Sequence, residues 1–79
     1  METITYVRPL KDRKIEVIFS DEYCAEIDMR PFIKSNDLSQ PLNDEAFFQT
    51  VTVDETGGII WSNGFDCCPV FIRQIADSK

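Results

Sequence analysis

At 79 residues the chain has room for one small core, and a chain this short buries only about 60% of its unfolded surface, which leaves a narrow stability margin. Its formal charge is −6, with 14 acidic against 8 basic side chains, and this disfavours nucleic acid and anionic membranes, whose affinity is drawn from Lys and Arg. It holds no histidine, which removes Ser/His and Cys/His nucleophile pairs and any imidazole metal site.

No stretch approaches the roughly 20 apolar residues of a membrane helix. Met1-Glu2-Thr3-Ile4-Thr5 lacks the basic and apolar regions of a signal peptide. Three cysteines, two of them adjacent, suit free thiols in a reducing compartment, so a cytoplasmic protein is expected.

In chain order, Ile4–Arg8 is predicted as a first strand ending at Pro9, followed by a polar turn at Lys11-Asp12-Arg13. Lys14–Ser20 alternates and is predicted as a second strand with Ile15, Val17 and Phe19 on one face. Asp21-Glu22 is a tight turn. Tyr23–Arg30 is a third strand, with Tyr23, Ala25, Ile27 and Met29 inward and Cys24, Glu26, Asp28 and Arg30 outward. Short connections predict an antiparallel meander. Pro31 stops the ladder, Phe32 and Ile33 form an apolar plug, and Lys34-Ser35-Asn36-Asp37 is a polar loop that Leu38 pins down.

A brief helix over 44–49 is expected, with Asn43 as N-cap and acidic residues in the first turn. Leu42 and Phe47 have the spacing of a hydrophobic staple about that cap. A hairpin follows. Val51 and Val53 alternate with Thr52 and Asp54, Gly57-Gly58 supplies the turn, and Ile59-Ile60-Trp61 is the return strand. Asn63-Gly64 suits a second turn with two left-handed residues. The tail 65–75 reads either as a strand or as a short helical turn opened by Pro69 with Asp66 as an imperfect cap, and the helical turn is preferred. Ala76-Asp77-Ser78-Lys79 is expected to fray. The predicted fold is therefore α+β: a small antiparallel or mixed sheet, built as a three-strand meander plus a C-terminal hairpin, with one or two short helices, in a single domain.

For chemistry the yield is small. Cys67-Cys68 lacks the spacing of a zinc or redox pair, and Gly57-Gly58 and Gly64 lack that of a phosphate loop. No catalytic residue, cofactor or metal is assigned. Trp61 reads as a core or lid residue, or as an exposed aromatic anchor for a partner. Asp21-Glu22 with Glu26 and Asp28 reads as a solvated acidic face.

The order of these motifs is nonetheless distinctive. A strand running into Pro9 is followed by Phe19-Ser20-Asp21-Glu22 and by Met29-Arg30-Pro31-Phe32. The segment Phe47-Phe48-Gln49-Thr50-Val51-Thr52-Val53-Asp54 then leads to Gly58-Ile59-Ile60-Trp61-Ser62-Asn63-Gly64-Phe65-Asp66-Cys67-Cys68-Pro69. Together these resemble the bacterial domain-of-unknown-function family numbered 2442, over about Ile4 to Phe71. The resemblance implies a small α/β fold with no established activity and no defined functional residues. Its members commonly have Asp-Gly where this chain has Asp21-Glu22. Members often stand beside a second small protein, as toxin–antitoxin modules do; the helix-turn-helix segment found in some has no room in this chain.

Two functions are weighed. The first is a protein–protein interaction module, antitoxin-like in a two-protein system, with a small and basic protein partner, or a homodimer, and no nucleic acid or membrane. Trp61, Phe65, Asp66, Glu26 and Asp28 are its candidate partner-binding residues. The alternative is a small carboxylate- and thiol-dependent enzyme or ligand-binding protein using Asp54, Asp66 and Cys67, which requires those groups to share a pocket.

Overall fold

A computed structural model describes residues 3–35 and 37–77; the expectations for Met1, Glu2, Asn36, Ser78 and Lys79 lie outside the described residues. The strand β1 (Ile4–Pro9) pairs antiparallel with β2 (Lys14–Phe19), which pairs antiparallel with β3 (Cys24–Asp28), in the order β1-β2-β3. This is the predicted meander. Strict alternation in β2 buries Ile15, Val17 and Phe19 and leaves Lys14, Glu16 and Ile18 half-buried on the other face. Ile27 and Met29 join them in the core, while Tyr23 stays 37% exposed at the mouth of the sheet. The register slips once, between Ile4 and Tyr6, and the Thr5 hydroxyl there donates to the Ile18 carbonyl.

The loop 30–44 crosses to the second half. Pro31 sits in a 3-10 turn (Arg30–Phe32), with Phe32 and Ile33 half-buried as the plug. Ser39 is the buried polar side chain there, and its hydroxyl bonds both the N–H and the carbonyl of Lys34. The helix α1 (Glu45–Phe48) is shorter than expected, and its cap is Asp44, not Asn43: the Asp44 carboxylate accepts the N–H of Ala46. Asn43 is instead the last residue of a 3-10 turn (Gln40–Asn43). Of the two phenylalanines that could pack on the sheet, Phe48 is the helix's main apolar anchor, at 1% exposure with fully buried Leu42 in the same core, while Phe47 is half-buried.

The second sheet has order β4-β5-β6, again all antiparallel: β4 (Thr52–Val53), β5 (Ile59–Ile60) and β6 (Asp66–Cys67). The prediction had two strands here; Asp66 and Cys67 add a third. Val53, expected inward with Val51, is 37% exposed, because the ladder is only two residues long and Val53 stands at its rim. The helix α2 (Pro69–Asp77) closes the chain. Pro69 opens it as expected, but the residue that caps it is Cys68, whose Sγ accepts the N–H of Phe71; Asp66 is in the strand. The helix also runs further than a single turn, and Ala76 is buried where fraying was expected, because Ile72 and Ala76 lie one turn apart and dock together on the core. One contiguous core joins both sheets and both helices, from Ile4 to Ala76, with Trp61 and Phe48 in it.

Candidate functional site

The second sheet is built from two hairpins of the same design. In the first, the N–H of Asp54 bonds the carbonyl of Gly58 at 2.8 Å, and Gly57 N–H returns to the carbonyl of Asp54 at 2.9 Å. In the second, the N–H of Trp61 bonds the carbonyl of Phe65 at 2.8 Å, and Gly64 N–H returns to the carbonyl of Trp61 at 3.0 Å. Both are three-residue loops whose third residue is a left-handed glycine, Gly57 and Gly64, each at φ +93°. Asn63 is therefore not left-handed, contrary to the two-residue turn expected for Asn63-Gly64. Its side chain has another task. Oδ1 accepts the N–H of Phe65 at 3.0 Å, and Nδ2 donates to the carbonyl of Leu38 at 2.9 Å, tying the hairpin to the crossing loop.

Trp61 is 1% exposed. Its indole Nε1 donates to the carbonyl of Phe48 at 2.9 Å, so its polar atom is satisfied inside the core. The ring lies 5.8 Å from Phe48 and 5.6 Å from Phe65. Phe65 is half-buried over it, and Asp66 is exposed. The core reading of Trp61 thus describes its place, and what it offers to the surface is support for Phe65. Glu26 and Asp28 belong to the other sheet. Glu26 is 3.8 Å from Lys14, and Asp28 is 2.7 Å from Arg30, whose guanidinium and backbone N–H hold the Asp28 carboxyl at about 2. The candidate residues therefore form two groups on two sheets.

Asp54, Asp66 and Cys67 do not converge. Asp66 and Cys67 are consecutive in β6 and point to opposite faces. Cys67 faces the core opposite Ile59, and burial pushes its thiol up to about 11, with Asp66 and Cys68 adding to the shift, so it is no thiolate at neutral pH. Asp54 accepts the hydroxyl of Thr56 within its own turn. This arrangement overturns the shared catalytic pocket that the enzyme reading required. An open cleft of about 400 Å³ lies elsewhere, lined by Pro9, Leu10, Lys11, Glu45 and Gln49. Among the described residues no group of three or more His, Cys, Asp or Glu is placed to hold a metal ion.

Two features escaped the reading of the sequence. Arg73 on α2 stacks 4.2 Å over Tyr23 and 4.9 Å over Phe19, and also bonds Asp21, whose carboxyl it lowers. No local pattern announces a contact spanning 52 residues. The other was there to be counted. Residues 35–72 contain six acids, Asp37, Asp44, Glu45, Asp54, Glu55 and Asp66, and no Lys or Arg, while the remaining eight acids are matched by all eight bases. The whole formal charge of −6 thus lies in one segment.

The model of the family described as "Protein of unknown function (DUF2442)" matches residues 4–74. The chain belongs to the DUF2442 family. No curated protein matches it. No solved structure matches it either. For this DUF2442 protein the two three-stranded antiparallel sheets and two helices give an α+β fold, as the sequence predicted. Among the described residues no helix is long and apolar enough to cross a membrane.

Proposed function

We propose that this protein is an interaction module that pairs with a second small protein encoded beside it, in the manner of an antitoxin. The observation that carries this reading is the doubly tied Ser62–Asp66 turn. Asn63 fixes it to Phe65 and to Leu38, and Trp61 supports it from beneath, so Phe65 and Asp66 are held at the surface in one geometry. A display element ordered before binding loses little further entropy on contact, which is how rigid turns gain affinity. The neighbouring small protein that the family resemblance implies supplies the candidate partner. Three free cysteines, two of them exposed, favour the cytoplasm as the place where the pair meets.

The test is co-expression with the adjacent gene product. The expected result is a complex that co-elutes in size-exclusion chromatography and is weakened by Phe65→Ala with the fold intact. Separate elution of the two wild-type proteins would end this reading.

A further inference from the structure

The outward face of the β4–β6 sheet is uncovered. Ile59 and Cys67 share one cross-strand row and point to the core, so the adjoining row, Thr52, Ile60 and Asp66, faces outward. Thr52 and Asp66 are exposed and Ile60 is half-buried between them. Val53, opposite Ile59, belongs to the other row and stands exposed at its rim, and beyond it Asp54 and Glu55 lead into the hairpin turn. Thr50 and Ser62, hydroxyl to hydroxyl at 3.3 Å, lie on the flank.

We propose that this face, Thr52, Ile60 and Asp66 with Asp54 and Glu55 at its rim, is where a basic segment of a partner protein docks. The proposal rests on the interaction reading above and adds the surface and the partner's chemistry. Charge complementarity names the occupant. None of the six acids of residues 35–72 forms an ion pair among the described residues; all five such pairs join residues outside that segment. On the meander, Arg8 meets Glu16 and Lys14 meets Glu26, so that face is neutralised from within. The second sheet leaves its neutralisation to something else. Nucleic acid and anionic lipid are repelled by the same field, whereas Lys or Arg on an apolar strand matches both the acids and the half-buried Ile60 between them. The face is small, so its main gift is steering and register, and its binding weakens with salt.

The experiment is an amide NMR titration of the whole chain with an amidated Lys-Val-Lys-Val-Lys-Val-Lys peptide, and with the Glu-Val peptide of equal length as control. Shifts are expected at residues 52–55, 60 and 66. Affinity should fall about tenfold or more between about 0.05 and about 0.5 M NaCl, and by a similar factor in Asp54→Asn/Glu55→Gln/Asp66→Asn. Glu26→Gln/Asp28→Asn should leave it unchanged. Because Asp54 also bonds Thr56, the pair Glu55→Gln/Asp66→Asn serves if the triple variant loses its native spectrum. Shifts centred on the meander, equal binding of the Glu-Val peptide, no shifts at all, or undiminished affinity in the neutralised variants each overturn the proposal. The two readings fail separately. A neighbour that does not bind removes the module, while a neighbour that binds the neutralised variant as well as wild type removes only this surface.

Discussion

The two sheets have the same order and the same antiparallel pairing, yet they are held by different means. The meander has strands of five or six residues, and its turns place non-glycine residues in the left-handed region: Asp12 and Arg13 at φ 60° and Glu22 at φ 68°. The hairpin sheet has strands of two residues and uses glycine at both left-handed positions. A long ladder with a buried face over-determines its turns and tolerates their strain. A two-residue ladder has no such reserve, so its turns must be free of strain and its strands must be held by side chains and by close backbone approach. The difference is therefore one of where each sheet tolerates change.

The largest expected effect is at Gly58. A Cβ built there would lie 2.4 Å from the carbonyl oxygen of Cys67, backbone against backbone, so β5 and β6 could not keep their spacing. Gly58→Ala should lose about 3 kcal/mol or more, as overpacking without relief does. Urea unfolding measures it, and a loss below 1 kcal/mol, about the cost of an unstrained exchange, would show that the close approach is not what holds the sheet. Next is Trp61→Phe. The ring volume is largely kept, but the carbonyl of Phe48 loses its indole donor inside the core. A loss of about 1–3 kcal/mol is expected by the same measurement.

The third prediction is a pair of substitutions that exchanges the turn chemistry of the two sheets. Gly64 has open space around the position of a Cβ, so Gly64→Ala meets only the cost of φ +93°, about 1 kcal/mol. In the meander, Glu22→Gly relieves a left-handed non-glycine residue, and after the added freedom of the unfolded chain is subtracted a gain of about 0.5 kcal/mol remains. Opposite signs in thermal melts sharpen the comparison; a Glu22→Gly variant no more stable than wild type would mean that the meander's turn carries no strain.

The same contrast explains what could be read from the chain alone. The meander was legible because period-two alternation in 14–20 and 23–30 reports burial directly. The hairpin turns were legible from their glycines, but their type was not, since a three-residue loop and a two-residue loop both place glycine after a polar residue. The cap at Asp44 was misplaced by one because Asn43 and Asp44 are equally good acceptors, and only the fit of Phe48 beside Leu42 decides between them. The tail 65–75 holds both a strand, β6, and a helix, and the two could not be separated because two strand residues carry no periodicity. The candidate site was legible in composition only: Asp66 and Phe65 could be named, but that Trp61 lies under Phe65, and that Glu26 and Asp28 lie on another sheet, is set by packing between distant segments.

The smallest effect concerns the paired charges of the meander. Arg30 bonds both oxygens of the Asp28 carboxylate and lowers its carboxyl from 3.8 to about 2, with its own backbone N–H contributing as well. A carboxyl lowered in the folded state stabilises the fold above the unfolded value, so this contribution is present above pH 4 or so and is lost as pH falls toward about 2. Both side chains are substantially exposed, and exposed pairs contribute little, so Arg30→Ala should scarcely move the melting temperature at neutral pH. It should move the titration. Without the guanidinium the Asp28 carboxyl rises toward 3.8, yet stays below it, because residue 30 still donates its backbone N–H to Oδ1. Carboxyl carbon NMR against pH reads this directly. A midpoint unchanged in Arg30→Ala would mean that the ion pair does not hold in solution, and the meander would have one internal ion pair fewer to set against the unpaired acids of the hairpin sheet.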